Sequence, residues 1–134
     1  MERKLWAVAL IVMLIGGGVV LYIFAPEKSN WMPPCVFHAL TGLYCPGCGT
    51  GRGLHKLLHG DVMGAWRMNS LAVLFLFFLL YAAARYVFFT FTGRKPKPIK
   101  LPNWAGWLVV VVIFSFWILR NIPLYPFTLL APHY

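Results

Sequence analysis

The sequence predicts an all-α integral membrane protein with three transmembrane helices and a short Cys-x-x-Cys-bearing helical hairpin between the first and second. Three observations lead there. Of 134 residues, 60% are hydrophobic, 17% aromatic and only 11% charged, and the mean hydropathy of +0.73 exceeds what a soluble domain of this size can hide from water. Three apolar runs of roughly membrane-crossing length follow one another along the chain. Between the first two runs the composition changes: all three cysteines, three of the four histidines and seven of the twelve glycines lie there. Residues 1–134 therefore read as one membrane domain. Its spans fall at about 5–24, 71–91 and 102–119, with a cysteine-containing loop at 25–69, a basic loop at 93–101 and an interfacial tail at 120–134.

The first run, Leu5 to Phe24, carries no charge and has about the twenty residues that cross a bilayer core as a helix. A cleaved signal peptide is the competing reading, since Arg3 and Lys4 make a basic start, but the run is long for one and no small-x-small site precedes Pro26. A retained anchor is expected. Gly16-Gly17-Gly18 lowers helix propensity in mid-span, which either admits a close helix neighbour or leaves the helix locally flexible. The second run, Leu71 to Phe91, is interrupted by Arg85 alone. That residue is close enough to the basic end for its guanidinium to snorkel to the headgroups. The third, Trp104 to Leu119, has Trp104, Trp107 and Trp117 near its ends, where amphipathic rings favour the interface. After Arg120 the chain is too apolar for a free linker and too rich in proline for a regular helix; it is expected along the interface or against the cysteine loop.

The net charge of +9 raises the question of nucleic acid. The cations flank apolar runs and make no single stripe interleaved with aromatics, so nucleic-acid binding is not expected and contact with anionic lipid is. Arg3 and Lys4, with the dense run from Arg94 to Lys100, are placed in the cytoplasm. Lys28, Arg52, Lys56, Arg67 and Arg120 are spread over the opposite side. A multi-pass protein of the cell (inner) membrane with a cytoplasmic N-terminus results.

The loop centres on Tyr44-Cys45-Pro46-Gly47-Cys48-Gly49-Thr50-Gly51-Arg52. From Cys48 to His59 it reads as a short helix stopped at Gly60, with Asp61 capping a second short helix through Trp66. At about 100° per residue Cys48, Arg52, His55 and His59 share one face and Leu54, Leu57 and Leu58 the other. Three chemistries compete for the polar face. In the redox reading Cys45 and Cys48 exchange disulfides, with the helix start and Arg52 stabilising a thiolate. In the metal reading Cys35, Cys45 and Cys48, with His55 or His38, make a Cys₃His zinc site, which also accounts for an odd number of cysteines. In the structural reading the cysteines pin a tight turn and catalyse nothing. His59 and Asp61 suit a proton relay, but caps are commoner in that setting. Asn69 stands where it can cap the second span. His38 reads as an interfacial polar residue before a ligand.

Cys45-Pro46-x-Cys48-Gly49-x-x-Arg52, His59-Gly60-Asp61 and Asn69 before the hydrophobic run resemble the signature of the DUF2752 family, small bacterial membrane proteins of unknown function. Cys35, Thr41-Gly42 and Arg120-Asn121-Ile122-Pro123 are similar too, so the resemblance extends over roughly residues 33–132. Ser70 departs from it, because a proline commonly follows the asparagine. The resemblance implies a bacterial, multi-span membrane protein and no particular reaction.

The leading expectation is a non-catalytic accessory subunit or interaction module. Its motif residues are Gly49, Arg52, His59, Asp61 and Asn69, and its partners are the bilayer and other membrane subunits or further copies of itself. The alternatives are a membrane-bound thiol-disulfide oxidoreductase using Cys45 and Cys48, and a structural zinc-binding membrane protein. No cofactor is required, with zinc the one that the residues suit. The spans contain no acidic residue, so an ion pathway through one copy is not expected.

Overall fold

The computed structural model describes residues 2–26, 35–94 and 100–132. Lys28 and most of the basic run, from Lys95 to Ile99, lie outside the described residues. Five α-helices follow in order: α1 Glu2–Ile23, α2 Val36–Thr41, α3 Thr50–Leu58, α4 Val62–Thr92 and α5 Trp104–Leu119, with a 3₁₀ turn at Phe127–Leu130. No strand occurs among the described residues.

Two of these helices, α1 and α4, are long and apolar enough to cross a membrane. The only residue that α1 buries is Ala7, while Trp6, Met13 and Ile15 are mostly exposed. A helix that is apolar all round and yet unburied is suited to lipid. Gly16, Gly17 and Gly18 meet nothing where a side chain would begin, so among the described residues no neighbour uses the closeness that they allow. At 16 residues, α5 is about 24 Å long, shorter than a hydrocarbon core of roughly 30 Å.

The continuous helix α4 merges two elements that the sequence pattern separates, the short helix through Trp66 and the second span. They meet at Asn69, whose φ of −163° and ψ of 91° interrupt the helix. From Ser70 onward the helix is about 35 Å long, enough to span. Asp61 caps its first turn, accepting from the Gly64 N–H at 2.8 Å.

The shorter α3 packs back on the first turns of α4. A Cβ on Gly53 would lie 3.2 Å from the Ala65 carbonyl oxygen and 3.3 Å from the Met68 Cβ, so glycine sets how close the two backbones come. Leu54 and Leu57 of α3 face Val73 and Leu76 of α4 across an apolar cleft of 220 Å³. Leu54 and Leu57 thus lie on the side of α3 that faces α4, as the helical spacing predicts, while Leu58, expected on the same face, is exposed.

Contacts at the helix ends give the arrangement its polarity. The Tyr86 hydroxyl donates to the Arg3 carbonyl at 3.5 Å, which sets the start of α1 beside the late turns of α4. His55 of α3 bonds the Leu21 carbonyl near the other end of α1, and Arg120, just past α5, bonds the cysteine loop. The cysteine loop and the C-terminal tail therefore share one end of the bundle, away from Arg3.

Candidate metal centre

The loop's local structure begins with Cys45-Pro46-Gly47-Cys48, a tight turn in which the Cys48 N–H donates to the Cys45 carbonyl at 3.1 Å. Gly49 follows with a φ of 82°, in the left-handed region that favours glycine. A Cβ there would also come within 2.6 Å of the Met68 carbonyl oxygen and 3.4 Å of Pro132. Because of this reversal α3 starts at Thr50, and Cys48 stands before the helix instead of on the face of Arg52, His55 and His59. Cys35 enters from the other side as the residue preceding α2.

The three sulfurs converge. The Cys35 Sγ lies 3.4 Å from that of Cys45, the Cys45 Sγ lies 3.1 Å from that of Cys48, and all three fall within 4.8 Å of one another. Cys48 is buried, whereas Cys35 and Cys45 are half-buried. The Cys35 thiol is held below its ordinary value, first by a hydrogen bond from the His38 backbone N–H and then by the thiols of Cys45 and Cys48. Burial, followed by the thiols of Cys45 and Cys35, pushes Cys48 up to about 12.

Two side chains from distant parts of the chain clamp the loop's carbonyls. Asn69, 1% exposed, donates through Nδ2 to the Pro46 carbonyl at 2.9 Å, the Cys48 carbonyl at 3.2 Å and the Thr50 Oγ1 at 3.0 Å. Its Oδ1 accepts from the Ala72 N–H at 3.0 Å, which caps the helix after the kink. Arg120, equally buried, donates through Nη1 to the carbonyls of Cys45 at 2.9 Å and Pro46 at 3.3 Å, and through Nη2 to that of Cys48 at 3.2 Å. Beside it, Asn121 pairs with the Tyr44 backbone in both directions, accepting at 2.8 Å and donating at 2.9 Å. Buried carbonyls that would otherwise lose their hydrogen bonds are thus satisfied, and the turn is held in one shape.

The other predicted residues fall elsewhere. Among the described residues no histidine or carboxylate joins the three cysteines. The His38 Nδ1 bonds the Leu43 carbonyl at 3.2 Å and its ring stacks on Tyr44. The His55 Nδ1 donates to the Leu21 carbonyl at 2.6 Å, on α1, so the fourth ligand expected from the sequence is turned to another helix. The His59 Nδ1 bonds the His55 carbonyl at 2.9 Å, and Asp61 is engaged as a cap and lies 3.7 Å from the Lys56 ammonium. Arg52 lies on α3, and the Arg120 guanidinium bonds the cysteine loop. Arg120 and Asn121 belong to the Arg120-Asn121-Ile122-Pro123 similarity, from which no role at the cysteines is expected, and Thr50 is a site residue that the motif reading leaves out.

Three convergent thiols suit two chemistries, ligation of a thiophilic ion and formation of a disulfide between adjacent sulfurs. Comparison with curated proteins and with solved structures gave no match for the chain. A family model matches residues 35–83, the stretch from Cys35 through Asn69 into α4. That family is described as Protein of unknown function (DUF2752), and the chain is similar to it over this stretch.

Proposed function

We propose that this is a non-catalytic integral membrane protein whose cysteine loop binds zinc through Cys35, Cys45 and Cys48, acting as a subunit of a larger membrane assembly. The observation that carries the reading is the approach of three sulfurs to within 4.8 Å of one another in a loop fixed by Asn69 and Arg120. Tetrahedral zinc with Zn–S bonds near 2.3 Å sets its sulfurs about 3.8 Å apart, and the observed separations lie around that value. Zn²⁺ with three thiolates carries one net negative charge, and the Arg120 guanidinium, bonded to the carbonyls of Cys45 and Cys48, is placed to offset it. The fourth position falls to a ligand beyond this set, from solvent or a partner.

In this proposal α1, α4 and α5 are three spans. The N-terminus and the loop around Arg94 face the cytoplasm of a bacterial inner membrane, and the cysteine loop lies on the opposite side. Cation density near the helix ends supports this orientation, and the uncovered apolar faces of the helices support contact with lipid and with other subunits.

A second reading rests on the 3.1 Å between the sulfurs of Cys45 and Cys48, which suits a disulfide in an oxidising compartment. Mass-resolved thiol labelling of detergent-purified protein separates the two. The zinc reading expects all three cysteines to gain reactivity after chelation. Blockage of Cys45 and Cys48 that only a reductant relieves would replace it with the disulfide.

A further inference from the structure

Away from the three cysteines, α3 carries two further side chains of metal-ligating type. His55 and His59 stand four residues apart on α3, with ring centres 4.3 Å apart; on a helix, residues at this spacing share one face. Each ring gives its Nδ1–H to a backbone carbonyl, Leu21 for His55 at 2.6 Å and His55 for His59 at 2.9 Å. A neutral imidazole that donates from Nδ1 keeps its lone pair on Nε2. This is also the pattern of a metal-bound histidine, which donates its other ring N–H to a carbonyl or carboxylate and is thereby fixed in tautomer and orientation.

The rings are held in place by more than these bonds. Tyr22, near the end of α1, stacks on His59 with centres 4.3 Å apart and planes 3° from parallel, covering a ring face while leaving the ring edge where Nε2 lies. His55 is half-buried and His59 exposed, so solvent reaches the pair. The intervening Lys56, a cation that would oppose a metal ion, lies 3.7 Å from the Asp61 carboxylate.

We propose that His55 and His59 form a second metal site that takes a divalent ion of the imidazole-preferring class through their Nε2 atoms, with water completing the coordination. Two helical histidines in this register are a familiar chelate, and imidazole suits Zn²⁺, Cu²⁺ and Ni²⁺. The site is independent of the cysteine loop, since none of its atoms is shared with that loop and its donor set is nitrogen alone.

The test is calorimetric titration of the full chain in detergent with NiCl₂, comparing wild type, His55→Asn and His59→Asn. Asparagine keeps a donor near the Nδ1 position and removes Nε2. Wild type is expected to bind one more Ni²⁺ than either variant, or to bind that equivalent at least about tenfold more tightly, with zinc content at the cysteines unchanged. Equal Ni²⁺ binding in all three proteins would overturn the proposal. Should a variant fail to fold, wild type alone decides: Ni²⁺ must broaden the ring-proton resonances of both His55 and His59, and sharp resonances at saturation would equally overturn it. Failure of the zinc reading would appear separately, in Cys→Ser variants that leave this Ni²⁺ equivalent untouched.

Discussion

The cysteine loop contains thiols of opposite character. Cys35 is held down by the His38 backbone N–H and its neighbouring thiols, whereas burial pushes Cys48 up to about 12. Alkylation of metal-free protein near neutral pH is therefore expected at Cys35 first and Cys48 last, read by peptide mass spectrometry; the reverse order would contradict the burial of Cys48. A thiol raised in the folded state favours folding below its ordinary value of 9.0 and loses that contribution as pH rises toward 12. Metal-free protein should accordingly lose stability in alkaline solution. Zinc must displace the protons, so its affinity should fall as pH falls. The clamp residues differ in chemistry as well as place. Arg120 spreads one planar guanidinium over three carbonyls, which a lysine ammonium cannot reproduce. Arg120→Lys should retain the charge and still weaken zinc binding by about 10- to 100-fold, measured by competition with a chromogenic chelator; an unchanged affinity would remove Arg120 from the site.

At the scale of elements, the kink in α4 is where the fold and the site meet. Asn69 replaces a helical residue, caps the following turn and reaches the cysteine turn with the same amide. Asn69→Ala removes a cap and a buried donor, so a loss of about 2–3 kcal/mol is expected in detergent unfolding, against a few tenths for an ordinary surface position. Gly49→Ala should also destabilise, since its φ of 82° and the Met68 carbonyl both oppose a side chain; a neutral result would contradict the packing of α3 on α4. Much of this was legible in the sequence. The apolar runs mark α1, the later part of α4 and α5, and Asp61 and Gly60 mark the turn after α3. The sequence pattern starts α3 at Cys48, two residues before its observed start at Thr50, because a Pro-Gly turn does not reveal that Gly49 is left-handed. That offset put Cys48 on the face of His55 and made His55 look like a ligand. Arg120 enters the sequence reading as a cation closing an apolar run and as part of the Arg120-Asn121-Ile122-Pro123 similarity, but its bond to Cys45, 75 residues away in sequence, has no local signature.

For the whole molecule, one end carries the chemistry. The cysteine loop, the ends of α1 and α5, and the tail through Pro132 meet there, while Arg3 and the late turns of α4 meet at the other. The proposed topology places the first of these ends outside the cytoplasm and the second within it. A cysteine introduced at the exposed Met63 (M63C) should react with an impermeant maleimide on intact cells, and one at Arg94 (R94C) only after permeabilisation; the opposite pattern would invert the topology. The central claim is the zinc site, and metal analysis of purified wild type and Cys48→Ser by plasma mass spectrometry tests it most directly. Close to one zinc per chain is expected in wild type, with a large loss in Cys48→Ser. Wild-type protein that stays free of metal after incubation with zinc under reducing conditions would contradict it.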